Sequence, residues 1–190
     1  MKKQLNVKKI ATLAMLIAMA YVVMSVCRIP LVPAAPFLKY DPKDVVISIG
    51  GFLFGPVEGV AISFIVAFLE MITVGSTGWW GFAMNFIASA TFVAPAAIVY
   101  RRKHNIKGAV WGLILGAVLM TGTMLLWNYL VVPLYQGTPR EAVADMLLPV
   151  FLPFNAFKAA INVALTLVVY KPVVKALRRA KLVPQSGGEK

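Results

Sequence analysis

The chain has one cysteine, Cys27, and one histidine, His104, among its 190 residues. A single thiol excludes an internal disulfide and a cysteine metal cluster, and a lone histidine within a run of bases leaves no catalytic pairing of the two. Carboxylates are also few. Asp41, Asp44, Glu58, Glu70, Glu141, Asp145 and Glu189 are scattered, and of these only Glu70 is expected within an apolar span. No GxxxxGK[ST], HExxH or GxSxG pattern occurs, so nothing nominates a P-loop nucleotide site, a zinc hydrolase or a nucleophile elbow. The expectation is a protein with no catalysis of its own and no metal or cofactor.

What the chain has in abundance is apolar surface. It is 60% hydrophobic and 14% charged, with a mean hydropathy of +0.81, outside the range of water-soluble domains. Several apolar runs approach the ~20 residues a helix needs to cross a hydrocarbon core of roughly 30 Å. We expect an all-α membrane protein of six transmembrane helices in a single bundle, one domain over residues 1–190. The spans are placed at about 10–26, 45–55, 57–74, 83–100, 108–132 and 148–170, with a basic tail at 171–190. The first apolar stretch runs on into CRIPLVP without a small-residue cleavage site, so it reads as a retained helix rather than a signal peptide.

The net charge of +12 is accounted for by position. Lys2, Lys3, Lys8 and Lys9 precede the first span, Arg101, Arg102, Lys103 and Lys107 fill one loop, and Lys171, Lys175, Arg178, Arg179, Lys181 and Lys190 lie in the tail. The positive-inside rule puts these three segments, and both termini, in the cytoplasm. Topology thus explains the charge without nucleic acid, and attraction to anionic headgroups of the lipid bilayer follows from it. Arg28, Lys39, Lys43 and Arg140 are then external and Lys158 is inside the membrane. The 45–55 span is the shortest, and its Gly50-Gly51 pair allows a bend or close packing.

Candidate binding residues gather toward the outer side. In LPFNAFKAAIN, Asn155, Lys158 and Asn162 stand at i, i+3 and i+7 and share one helical face. A lysine this far from the edge is too costly to leave in lipid and should point into the bundle. Two readings stay open: a ligand-binding wall, or a lysine that snorkels or pairs with an acid such as Glu70. Asn128, between Trp127 and Tyr129, lies at comparable depth. The segment 27–43 holds four prolines and is expected to be a covering loop, with Leu38, Lys39, Tyr40 and Asp41 exposed to whatever it covers. GSTGWWG at 75–81 is read as an outward loop offering hydroxyls, backbone approach at Thr77 and Gly78, and stackable indoles. PLYQGTPREAVAD is read as a second external segment. A flat, neutral molecule with polar edges would suit this set. On the first helix, Ala11, Ala14 and Ala18 form a small-residue face, fit either for packing inside the bundle or for docking another membrane subunit.

With these residues placed, the sequence resembles the riboflavin-specific S components of energy-coupling factor (ECF) vitamin transporters. FLKYD, IGGFLFGPVEG, GSTG, AMNFIAS, VAPAAIVYRRK, WNYLVVPLY and LPFNAFK occur in the family's order over nearly the whole chain. The resemblance implies a six-helix subunit of a prokaryotic plasma membrane that binds riboflavin from outside. It would partner a transmembrane T component and two ATPases, whose ATP hydrolysis drives uptake. It also implies that Asn128, Asn155 and Lys158 hydrogen-bond the flavin, that Leu38 to Asp41 cover it, and that Ala11, Ala14 and Ala18 meet the T component. An S component for thiamine or biotin, or a stand-alone carrier coupled to ions through Glu70 or Lys158, are the competing expectations.

Overall fold

The computed structural model describes residues 7–31 and 38–180. Lys2, Lys3, Lys181 and Lys190, expected to set topology, Pro33, Pro36 and Phe37 of the expected covering loop, and the carboxylate Glu189 lie outside them.

The elements run α1 (Val7–Val26), β1 (Ile29–Pro30), β2 (Lys39–Tyr40), α2 (Lys43–Phe54), α3 (Pro56–Thr73), α4 (Gly78–Lys103), α5 (Ile106–Gln136), α6 (Arg140–Met146), a π-helical turn Leu147–Phe151, and α7 (Leu152–Arg179). Among the described residues, five helical stretches are long and apolar enough to cross a membrane: α1, α3, α4, α5 and the continuous run Arg140–Leu177. The sixth expected span is α2. At 12 residues it is about 18 Å long, too short for a hydrocarbon core. It is instead the centre of the bundle, packed on α1, α3, α4 and α7 and buried continuously from Lys43 to Phe52.

Glycine makes that central position possible. A Cβ on Gly51 would sit 3.0 Å from a Val93 methyl, and one on Gly59 would come within 3.1 Å of the Gly51 Cα. The α4 and α5 helices also pack closely. There a Cβ on Gly116 would lie 2.2 Å from the Phe92 carbonyl oxygen, and one on Gly112 would lie 2.6 Å from that of Ala96. The small residues let backbone meet backbone, the packing that membrane helices use in place of a hydrophobic driving force.

Four stretches differ from expectation. The α4 helix starts at Gly78, not Ala83, so Trp79 and Trp80 form its exposed first turn rather than a loop. The α5 helix runs through Pro133 to Gln136, where Gly137 at φ 66° closes it with an N–H donated to the Pro133 carbonyl, 3.1 Å. Residues 140–146 are helical too, so the supposed external segment is mostly helix. At Pro133 the helix forgoes the N–H that would bond the Tyr129 carbonyl, yet it continues for three more residues. Finally, α7 continues through Pro172 to Arg179 into what was read as tail. By contrast, the turn expected at GPVEG is present, with Gly55 at φ 117° and Pro56 opening α3.

One end of the bundle is basic. Lys9 pairs with Glu58 at 2.5 Å, and the hydroxyls of Tyr100 and Tyr170 meet at 2.5 Å beside Phe52. The opposite end carries the candidate site.

A buried polar pocket

The short β1–β2 ladder pairs Ile29 with Tyr40 and Pro30 with Lys39. This pairing returns the chain after α1 to the bundle and aims Leu38, Tyr40 and Asp41 inward, all buried. Beneath it lies a narrow cavity of about 60 Å³, lined by Leu38, Lys39 and Asp41 from the loop, Arg28 after α1, Glu70 of α3, Thr77 and Asn85 around α4, Asn128 of α5, and Asn155 and Lys158 of α7. Met84, Met120, Met124 and Phe154 supply its apolar walls. The space is well below the roughly 300–1,000 Å³ of ordinary small-molecule sites. A ligand of that size therefore enters only if the loop or the methionines move.

Electrostatics knit the site together. Lys43, 1% exposed, donates to both carboxylate oxygens of Asp41 at 3.0 Å and lies 3.4 Å from Glu70 Oε2. Glu70 Oε1 accepts from Asn85 Nδ2 at 3.0 Å and from Arg28, whose other terminal nitrogen donates to the Val74 carbonyl at 3.0 Å. Lys158 Nζ stands 3.7 Å from Asp41 Oδ2. Burial alone would push the Asp41 carboxyl up, but Lys43 and Lys158 overcome it and hold the group down at about 2, so it is ionised throughout the physiological range. A second set lies alongside: Asp44 accepts from Ser89 Oγ at 2.5 Å and from Asn162 Nδ2 at 3.2 Å, and Asn162 Oδ1 accepts from the Tyr40 hydroxyl at 3.2 Å. Three cations, Arg28, Lys43 and Lys158, thus face three carboxylates, Asp41, Asp44 and Glu70. Charges this buried persist only when so compensated.

Against this geometry the expected stripe divides. Asn155 and Lys158 line the cavity, whereas Asn162 is committed to Asp44 and Tyr40. Lys158 does not pair with Glu70; its carboxylate neighbour is Asp41, because Arg28, Lys43 and Asn85 already surround Glu70. Asn155 Nδ2 donates to the Phe151 carbonyl at 2.8 Å, tying the amide to the π-helical turn. Asn128 is 2% exposed, and its Oδ1 has no hydrogen-bond partner among the described residues. An acceptor left so is costly unless something else fills it.

Of the loop residues, Leu38, Lys39 and Asp41 line the cavity and Tyr40 does not, since its hydroxyl points to Asn162. Thr77 lines it, while Gly78 borders only a smaller neighbouring space with Arg28 and Glu70. Trp79 and Trp80, expected as stacking groups, are 69% and 44% exposed and line neither space. Glu70 is not alone in being buried, for Asp41 and Asp44 are buried too, and Lys43 is internal rather than external. Arg28, Lys43, Asp44, Asn85 and Ser89 were the members not singled out. The alternating charges of DPKD directly before an apolar run were the available signal. Ala11, Ala14 and Ala18 are exposed, on the side of α1 opposite the buried Thr12, Leu16, Ala20 and Met24, so they do not pack inside the bundle.

A helical membrane protein with a charge-balanced polar pocket near one end is the class that fold and site define. Residues 8–170 match the family of ECF transporter substrate-specific components, and the chain belongs to that family, a family of transporter subunits rather than enzymes. It is 30% identical to the riboflavin transporter FmnP of Bacillus subtilis, over 94% of this chain and all of that one. It is 29% identical to the riboflavin transporter RibU of Staphylococcus aureus, over 94% and 98%. Its fold matches that of the S component of a bacterial ECF transporter with a TM-score of 0.77 and 27% identity, over 90% of this chain and 97% of that one.

Proposed function

We propose that this subunit captures riboflavin from the outer face of a prokaryotic plasma membrane, with its termini in the cytoplasm, and hands it to an ATP-driven module of a T component and two ATPases. The observation that carries the ligand assignment is the unpartnered Asn128 Oδ1 facing a cavity shared with Asn155 and Lys158. Riboflavin offers a flat ring system with hydrogen-bonding edges and a chain of hydroxyls. Met84, Met120, Met124 and Phe154 suit the ring, since thioethers lie well against aromatic systems. The amides and the lysine suit its edges. The names of the relatives support the same ligand. The cations Arg28, Lys43 and Lys158 are balanced by three carboxylates, which favours a neutral ring system at that depth, while Lys39 lines the cavity from its exposed cover, outside that balance.

Capture would proceed by opening of the Leu38–Asp41 cover, entry, and reclosure, in which Lys43 re-seats Asp41. The exposed Ala11, Ala14 and Ala18 support docking of the T component at α1. Reconstitution tests the coupling. Vesicles carrying the subunit with its module should accumulate riboflavin only with ATP, and the subunit alone should not concentrate it. Sustained concentrative uptake by the subunit alone would show a stand-alone carrier instead.

A further inference from the structure

An open groove of about 650 Å³ runs along the bundle between α5 and α7, lined by Ile114, Ala117 and Val118 on one helix and by Ala156, Ala160 and Ala164 on the other. It is separate from the polar pocket and almost wholly apolar. From Ala156 to Leu167, both on its wall, is about 16 Å of helix at 1.5 Å per residue, close to half of a roughly 30 Å hydrocarbon core and hence the depth of one leaflet.

The end of the groove is charged. On α5, Lys107 and Trp111 share the face of Ile114 and Val118, since each step of three or four residues returns to the same side. On α7, Lys171 stands one turn beyond Leu167 on the groove face, and Lys175 one turn further. Lys107, Lys171, Lys175 and Trp111 are all exposed, and neither α5 nor α7 contains a carboxylate. A tryptophan beside lysines marks headgroup level. Alanines open space for a chain at tail depth, and a cationic rim stands where a phosphate would lie.

We infer that the α5–α7 groove is a site for one anionic phospholipid, an acyl chain lying along Ala156, Ala160 and Ala164 and the phosphate held by Lys107 and Lys171. The occupant is a lipid rather than a partner's helix because the apolar depth matches one leaflet and the charge complementarity sits at its edge.

The test uses the full chain released from nanodiscs holding equal amounts of phosphatidylglycerol and phosphatidylcholine with identical acyl chains, with retained lipid counted by native mass spectrometry. One phosphatidylglycerol should be retained in preference, and inorganic phosphate should not displace it. The double variant Lys107→Gln/Lys171→Gln should reduce that preference about thirtyfold, two basic residues near an anionic surface being involved. Ala160→Phe, which places a ring in the groove, should abolish retention. Ala164→Phe serves the same purpose should Ala160→Phe fail to elute as a single folded species. Equal retention of both lipids, displacement by phosphate, or retention undiminished in a folded groove-filled variant would each overturn the site.

Discussion

Individual side chains here have distinguishable duties. Asn128 and Lys158 line the cavity, so Asn128→Ala and Lys158→Met should each weaken riboflavin binding by about 1–3 kcal/mol, roughly fivefold to 150-fold, with thermal stability nearly unchanged in Asn128→Ala and lowered in Lys158→Met, which takes one of two cations from Asp41. Equilibrium titration of the purified variants checks this, and wild-type affinity in both would remove them from the site. Lys43 has a different duty. It is buried against Asp41 and Glu70, and Lys43→Met would take from both buried carboxylates the cation they share, costing about 3–5 kcal/mol. A drop in the thermal midpoint of ligand-free protein is the expected readout, with an unshifted midpoint contradicting the network. Asn155, Lys158 and Asn128 were legible from sequence because a polar group deep in an apolar run has few excuses. Lys43 and Arg28 were not, since a basic residue beside prolines reads as loop. What brings them to the site is the return of the chain through the β1–β2 pairing, which joins Ile29 to Tyr40 and Pro30 to Lys39 across the intervening loop.

At the scale of elements, two contacts can be perturbed without touching the pocket. Gly116→Val would drive side-chain atoms into the Phe92 carbonyl and should separate α4 from α5. Loss of monodisperse, folded protein is expected, whereas Gly122→Val, where an added Cβ meets nothing within 4 Å, should be tolerated. Ala14→Trp, on the exposed face of α1, should block assembly with the T component and leave riboflavin binding intact. Coelution with the module and ligand titration separate the two effects, and normal assembly would refute docking at that face. Long apolar periods made α1, α3, α4 and α5 readable. Helix ends were less so: Pro133 and Pro172 read as breakers, yet each lies in a helix that continues to Gln136 and to Arg179. The short α2 read as a crossing because hydropathy alone does not separate a segment buried in protein from one buried in lipid.

For the whole molecule, the distribution of charge carries the account. Basic residues collect at one end of an apolar bundle, and at the other end an internally neutral cluster surrounds a cavity too small for its proposed ligand until the cover moves. Order of motifs along the chain was enough to read the family, because a membrane bundle of this size leaves few alternatives for its polar residues. The pairing of the cluster was not readable, since which of six charges meet depends on helix rotations that sequence spacing does not specify. The most direct test of riboflavin capture is a titration of purified ligand-free protein with riboflavin, followed by quenching of flavin fluorescence, with thiamine and biotin as competitors. Saturable quenching at micromolar riboflavin or below, undisturbed by either competitor, is the predicted result. Absence of quenching, or its reversal by thiamine or biotin, would contradict it.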